Sequence, residues 1–203
     1  MIENRFHDSA IGIDVIHVMP GTLYVTCKGE CITTILGSCI SVCLHDPIVK
    51  VSGLNHFMLP GKQDDCTTNF DSNSYGVHAM TELIVKMETM GAQIYRCEAK
   101  IFGGGCMFPN DQDIGVRNIE FASNYLDKMN ISLSNMDVGL NYSRRIRFHT
   151  DTGKVMVKRL RSLHNKQISN QEALYESHLT KRNAVIDHHS SYPTVDKLSL
   201  IHI

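Results

Sequence analysis

Two helical patterns and a larger number of strand-like patterns follow one another along the first 160 residues. Apolar residues recur at helical spacing over 75–90 and 114–129, which predicts two main amphipathic helices. Runs in which every second residue is apolar are typical of half-buried strands. These strands outnumber the helices and are not strictly interleaved with them, so the pattern favours a mixed α+β domain with largely antiparallel sheets. The predicted strands lie near residues 11–18, 22–27, 32–34, 39–45, 50–59, 93–102, 136–140, 144–149 and 154–158.

The last part of the chain has a different character. Residues 161–203 contain five of the 11 histidines and lack sustained periodicity, apart from a short helical stretch at 170–179. We therefore divide the chain into a domain of residues 1–160 and a C-terminal extension of residues 161–203. We expect the extension to be weakly structured or docked on the domain.

Composition and charge exclude several classes of protein. Lysine and arginine number 20 against 21 aspartates and glutamates, so no basic excess predicts binding to nucleic acid. No apolar run reaches the ~18 residues that a transmembrane helix requires. Glu3 and Asp8 stand where an export signal would be basic. We therefore expect a cytoplasmic protein with no membrane insertion, whose seven cysteines are reduced thiols.

One segment of the chain contains candidate chemistry. From residue 39 to residue 45 every second position is apolar, so Cys39 points away from the apolar face of its strand. A turn signal and a second apolar run, KVSGLNHFML, follow. If the two runs form a hairpin whose loop is 47–48 or 46–49, Cys39 lies directly opposite His56 on one face of the sheet.

A thiol opposite an imidazole is the minimum machinery for nucleophilic acyl transfer. The imidazole can take up the thiol proton and later protonate the leaving group. Gly37 and Ser38 precede the cysteine, and backbone N–H groups there could stabilise an oxyanion. We expect the pair at a cleft open to solvent. A third group should orient the imidazole, and Thr33, Thr34, Ser38 and Asn55 are near enough that the sequence pattern does not choose among them.

Cysteine spacing offers a metal site as the rival interpretation. Cys27 and Cys31, like Cys39 and Cys43, are separated by three residues, which structural zinc sites permit. In an alternating strand, however, residues four apart are separated by ~13 Å, too far to share an ion. The sequence therefore predicts no metal site.

Two further features lie in the second half of the domain. Gly103-Gly104-Gly105 matches no nucleotide-binding pattern and predicts a bend or a close approach of two backbones, which could line the cleft. Asn118 lies on the apolar face of its helix, where it is either a buried hydrogen-bonding residue or one that reaches the site.

The sequence resembles the CheD family of chemoreceptor glutamine deamidases over about residues 10–160. LGSCISVCLHDP and GLNHFMLP are similar to the family's nucleophile and histidine segments, and YGVHAM, AKIFGGGCMF, IGVRN and DVGLNYSRRIRF follow in the family's order. The resemblance implies that Cys39 is the nucleophile, that His56 is the general base and acid, and that Thr33 orients His56. Candidate substrate-binding or oxyanion residues are Gly37, Ser38, Asn55, Tyr75 and Gly76.

The resemblance also implies a reaction and partners. The reaction is hydrolysis of glutamine side-chain amides in the cytoplasmic domains of chemoreceptors to glutamate and ammonia, by a protein-glutamine glutaminase that needs neither metal nor cofactor. The implied fold is a layered α/β/β domain, and the implied partner is a CheC-type phosphatase. The alternative is a non-enzymatic or mainly regulatory protein that binds the phosphatase or the receptor. The presence of Cys39, His56 and Thr33 together favours the enzyme.

Overall fold

A computed structural model describes residues 4–59, 75–106, 112–160, 168 and 170–179 of the chain. These residues form ten strands, two long helices, one short C-terminal helix and a 3₁₀ turn at Ile94–Arg96. In chain order the elements are β1 (Asn4–Asp8), β2 (Ile13–His17), β3 (Thr22–Thr26), β4 (Cys31–Leu36), β5 (Ile40–Asp46), β6 (Val51–His56), α1 (Tyr75–Thr89), β7 (Glu98–Gly103), α2 (Gln112–Lys128), β8 (Ser132–Val138), β9 (Arg144–His149), β10 (Lys154–Arg159) and α3 (170–179).

The strands form two five-stranded sheets. The outer sheet has the order β1-β2-β4-β9-β10, and the central sheet has the order β3-β6-β5-β7-β8. Pairing is antiparallel except between β2 and β4 and between β7 and β8. This confirms the predicted mixed α+β fold with largely antiparallel sheets and two main helices.

The central sheet is covered on both faces, and this produces the layered α/β/β order that the resemblance implied. Alternate residues of β5 divide between the two sides, as a strand's period of two requires. Ile40, Val42 and Leu44 pack with α1 and α2, whereas Cys39 and Cys43 pack against the outer sheet. The predicted orientation of Cys39, away from the apolar Ile/Val/Leu face, is therefore confirmed.

Two strand predictions were wrong for physical reasons. The strand expected at 93–102 begins only at Glu98, because the Gln93 N–H and the Arg96 guanidinium both bind the buried Asp46 carboxylate and turn the chain. The edge strand β1 was missed because it is largely exposed and polar. It is held by ion pairs such as Arg147 to Asp8 at 2.5 Å rather than by an apolar pattern.

The helix predicted at 170–179 is confirmed. Apart from this helix and residue 168, the predicted extension lies outside the described residues. The part concerned is 161–167, 169 and 180–203. The division of the chain at residue 160 therefore stays a prediction. In the described part of the chain, no helix combines the length and the apolar character needed to span a membrane.

Candidate active site

Cys39 and His56 meet between the two sheets, although not through the register expected. In the hairpin of β5 and β6, Asp46 pairs with Val51 and Ile40 pairs with Phe57. The loop is therefore 47–50, which places His56 diagonally across from Cys39 rather than directly opposite. The predicted register was wrong, but it was wrong by an even step. The two side chains therefore remain on one face, where diagonal neighbours are still within reach of each other.

The buried carboxylate of Asp46 explains the hairpin register. It accepts a hydrogen bond from the Ile48 N–H at 3.0 Å within the turn, and its other oxygen binds Arg96 at 2.8 Å. These contacts keep Asp46 at the end of its strand, and Lys50 completes the loop with a φ of 54°. The turn signal at residues 46–47 is a local sequence pattern, so it cannot predict the contact between Asp46 and Arg96.

The thiol and the imidazole form one buried cluster. The Cys39 Sγ, a ring nitrogen of His56 and a carboxylate oxygen of Glu172 all lie within 4.8 Å of one another. Cys39 is fully buried and His56 is 2% exposed. The juxtaposition on which the chemistry depends is therefore present in the fold.

The Thr34 hydroxyl sets the orientation of the imidazole. Thr34 Oγ1 donates to the Val18 carbonyl at 2.8 Å and lies 2.8 Å from His56 Nδ1. Since the hydroxyl has one proton, it accepts a hydrogen bond from Nδ1–H, and the lone pair of the neutral ring is then on Nε2. His56 Nε2 has no hydrogen-bond partner among the described residues. That nitrogen is therefore ready to accept the proton of the neighbouring thiol.

Thr33 does not make the contact that the resemblance assigned to it. Its hydroxyl donates to the Ile146 carbonyl at 2.7 Å, and its side chain lines a cavity of about 540 Å³ on the far face of the outer sheet with His17 and Arg145. Successive residues of a strand point to opposite faces, so only one of the two threonines can face His56. The structure corrects the orienting residue from Thr33 to Thr34.

The loop that precedes the nucleophile is fixed through its carbonyl groups. The Gly37 carbonyl accepts from Gly105 N at 2.7 Å, and the Cys39 carbonyl accepts from Gly104 N at 2.7 Å. The Ser38 carbonyl accepts from Asn118 Nδ2 at 2.8 Å. These contacts confirm that the glycine run makes a close backbone approach and that Asn118 is a buried hydrogen-bonding residue.

The N–H groups of the same loop converge on one point. Gly37 N, Ser38 N and Cys39 N lie 2.7, 2.7 and 3.2 Å from carboxylate oxygens of Glu172, and Ser38 Oγ lies 2.7 Å from one of them. We call these three N–H groups the amide cradle. Rigid donors that converge beside a nucleophile are the arrangement that stabilises an oxyanion.

The resting electrostatics of the pair are those of two neutral groups. Desolvation lowers the pKa of His56 to about 3. Desolvation, reinforced by the carboxylate of Glu172, raises the pKa of the Cys39 thiol well above its ordinary value. The expected open cleft is therefore wrong for this arrangement of the chain, because α3 places Glu172 on the amide cradle and the sulfur is sealed from solvent.

The remaining candidate residues divide between the site and its surroundings. Gly37 and Ser38 are at the site through their N–H groups. Asn55 is not, because its side chain faces the helices, accepts from Val42 N at 2.9 Å and donates to the Ala79 carbonyl. Gly76 packs against Leu59 and Phe121, and Tyr75 hydrogen-bonds the hydroxyl of Tyr175 in α3 rather than Cys39.

The cluster offers one thiol, one imidazole and one carboxylate, a donor set that zinc can use. Both oxygens of Glu172 already accept hydrogen bonds from the amide cradle or from Ser38 Oγ. The carboxylate of Glu172 is therefore engaged as a hydrogen-bond acceptor. Among the described residues, Cys43, the neighbour of Cys39 in the sequence spacing considered for zinc, does not belong to this cluster.

Sequence reasoning missed Glu172. Its partners lie 133 to 135 residues away along the chain, and no motif surrounds it. The one available signal was the short helical stretch at 170–179, which predicted an ordered element within the extension.

Comparison with known proteins gives concordant results. Residues 58–159 match the family model described as CheD chemotactic sensory transduction. The "Probable chemoreceptor glutamine deamidase CheD" of Hydrogenovibrio crunogenus is 39% identical over 83% of this chain and 89% of its own length. The protein of the same name from Hahella chejuensis is 39% identical over 87% of this chain and 85% of its own length. CheD 1 of Shewanella oneidensis is 37% identical over 85% of each. The chain therefore belongs to the CheD family.

Proposed function

We propose that this protein hydrolyses the side-chain amide of specific glutamines in chemoreceptors to glutamate, with release of ammonia. The observation that carries the proposal is the meeting of Cys39, His56 and the amide cradle in one buried cluster. The relatives whose names describe chemoreceptor glutamine deamidases support the choice of substrate. This is the activity of a protein-glutamine glutaminase, an amidohydrolase.

The cluster supplies each step of an acyl transfer. Cys39 Sγ attacks the carboxamide carbon while His56 Nε2 takes the thiol proton, and the amide cradle receives the carbonyl oxygen as it becomes negative. The tetrahedral intermediate collapses with cleavage of the C–N bond, and His56 delivers its proton to the departing ammonia. Water, deprotonated by His56, then attacks the thioester, and the products are glutamate and the regenerated thiol.

The neutral resting pair determines how the nucleophile forms. Because burial lowers the pKa of His56 and raises that of Cys39, the charged pair is disfavoured before substrate binds. The proton therefore moves as the S–C bond forms, and Thr34 contributes by keeping the lone pair of the ring on Nε2. We include the adjacent Gly37, Ser38 and Cys39 N–H groups as the oxyanion-binding residues.

The proposal extends to location and partners. We propose that the protein acts in the cytoplasm on the signalling domains of the receptors, and that a CheC-type phosphatase binds it. The alternative is a mainly regulatory protein that binds receptor or phosphatase, and the sealed sulfur of Cys39 favours it. The two functions are separable, because the regulatory protein would not need the thiol.

Mass spectrometry of purified receptor signalling domains tests the proposal. Incubation with the protein should raise the mass of specific glutamine-containing peptides by about 1 Da, because NH₂ is replaced by OH. Cys39→Ala should abolish the change while receptor binding is retained. Cys27→Ala, which removes an exposed thiol outside the cluster, is the matched control and should retain activity. Equal rates in Cys39→Ala and wild type would refute the mechanism.

A further inference from the structure

The side chain that occupies the amide cradle has the structure of the reaction's product. Hydrolysis of a glutamine amide yields a glutamate carboxylate beside Cys39 and the donors that stabilised the oxyanion. Glu172 places a glutamate carboxylate at that position, although it comes from α3 of the same chain. We propose that α3 is a built-in product mimic that keeps the enzyme inactive until a glutamine-bearing helix of the substrate displaces it. This inference rests on the proposed function.

The hydrogen bonds show why a glutamate, rather than a glutamine, occupies the site. One oxygen accepts from Gly37 N and Cys39 N, and the other accepts from Ser38 N and Ser38 Oγ. Two acceptor oxygens are therefore required. The NH₂ group of a glutamine in the same pose would face the Ser38 N–H, with two donors in opposition. The cradle consequently holds the product form of residue 172 more strongly than the substrate form.

Buried apolar side chains accompany Glu172 along α3. Ile168, Tyr175 and Leu179 lie four residues before, three after and seven after Glu172, a spacing that puts them on one face of a helix. Ile168 is 7% exposed and Leu179 is 4% exposed. The ring of Tyr175 covers Gly21, where a Cβ would lie 2.7 Å from its hydroxyl oxygen.

The same contacts define the class of substrate. A chain segment that replaces α3 must present a side-chain amide to Cys39 and fill the groove that the helix face leaves. We infer that the substrate is an α-helix with glutamine at one position and apolar or aromatic residues three and seven positions later. Recognition of a helix in a groove through residues at i, i+3 and i+7 is a common mode of binding.

Displacement of α3 would restore the chemistry as well as access. With Glu172 in place, Cys39 is fully buried and a carboxylate raises the pKa of its thiol. Removal of that carboxylate frees the amide cradle and removes a negative charge from the neighbourhood of the sulfur. Both changes favour attack by the thiol.

Alkylation of the full-length protein tests the inference without any receptor. In Glu172→Ala, iodoacetamide should label Cys39 at least about tenfold faster than in wild type, because several charge-assisted hydrogen bonds no longer hold α3. Cys43, which is buried on the same face of the sheet, should stay unlabelled. Glu120→Ala, which removes an exposed glutamate from α2, is the matched control and should label at the wild-type rate.

Each outcome gives a decision. Equal rates of Cys39 labelling in Glu172→Ala and wild type would overturn the inference. An equal acceleration of labelling at Cys43 would overturn it too, because it would show that the substitution loosens the whole fold. Receptor deamidation should also be faster in Glu172→Ala. If Cys39 labels faster but no variant deamidates any receptor, the occlusion by α3 stands and the proposed function fails. If wild type deamidates receptors and Glu172→Ala is no faster in either assay, the product mimic fails alone.

Discussion

Replacement of Thr34 by valine separates the orienting residue that the structure gives from the one that the resemblance implied. Valine has nearly the shape of threonine, so the substitution removes the hydroxyl and leaves the packing almost unchanged. Thr34 Oγ1 serves both the Val18 carbonyl and His56 Nδ1 at 2.8 Å. The variant therefore leaves one buried acceptor and one buried donor without partners.

The magnitudes follow from those two contacts. Each unsatisfied buried group costs ~1–3 kcal/mol, so the loss of two partners should lower the free energy of unfolding by about 2–6 kcal/mol. A hydrogen bond to a group that becomes charged contributes ~1.5–3 kcal/mol. Since His56 becomes charged in the transition state, kcat/KM should fall about 10- to 100-fold, at ~1.4 kcal/mol for each factor of ten.

The adjacent variant Thr33→Val provides the matched control. Thr33 donates to the Ile146 carbonyl and faces away from the site, so kcat/KM should stay within about threefold of wild type. Deamidation of a receptor peptide, followed by mass spectrometry, measures both variants on the Glu172→Ala background as well as on wild type. A large loss in Thr33→Val with little loss in Thr34→Val would refute the reasoning.

Three further predictions follow from the same contacts. Gly103→Ala should lower the melting temperature and abolish activity, because its Cβ would lie 2.1 Å from the Cys39 carbonyl oxygen at a φ of 113°; full activity would contradict this. Glu172→Gln should convert residue 172 back to glutamate, with a gain of about 1 Da that Cys39→Ala prevents; a glutamine that persists at position 172 would show that the side chain does not occupy the site of the scissile amide. Burial lowers the pKa of His56 to about 3. Unfolding therefore takes up a proton below pH ~6.5, and the free energy of unfolding should fall by up to ~1.4 kcal/mol per pH unit as the pH drops from ~6.5 toward 3. Denaturant titrations at several pH values give the free energy of unfolding of wild type and of His56→Gln. This free energy should depend less steeply on pH in the variant, and the same pH dependence in both proteins would contradict the assignment.

What the sequence could predict here was local. The alternation in β5 placed Cys39 away from the helices, and an even register step kept it on the face of His56. The register itself depended on Arg96, which holds Asp46 across 50 residues of chain. Local pattern cannot contain such a contact, so the hairpin loop was placed one residue too early.

The two errors at the site have similar origins. A run of two threonines has one member on each face of its strand, and only tertiary packing decides that Thr34 faces His56. Glu172 reaches the amide cradle from an extension that no motif connects to the nucleophile. An enzyme is expected to have an open cleft. Here the sulfur of Cys39 is buried and Glu172 of α3 contacts the Cys39 N–H, an arrangement that depends on tertiary packing.

Capture of the covalent intermediate tests the central claim most directly. Glu172→Ala should be mixed with a receptor helix, quenched in acid within the first turnover and digested for mass spectrometry. We expect a thioester between Cys39 and the substrate glutamine, with a mass equal to that of the two peptides less ammonia. This adduct should accumulate before glutamate appears. Deamidation without any adduct on Cys39, at a rate that Cys39→Ala retains, would contradict the claim.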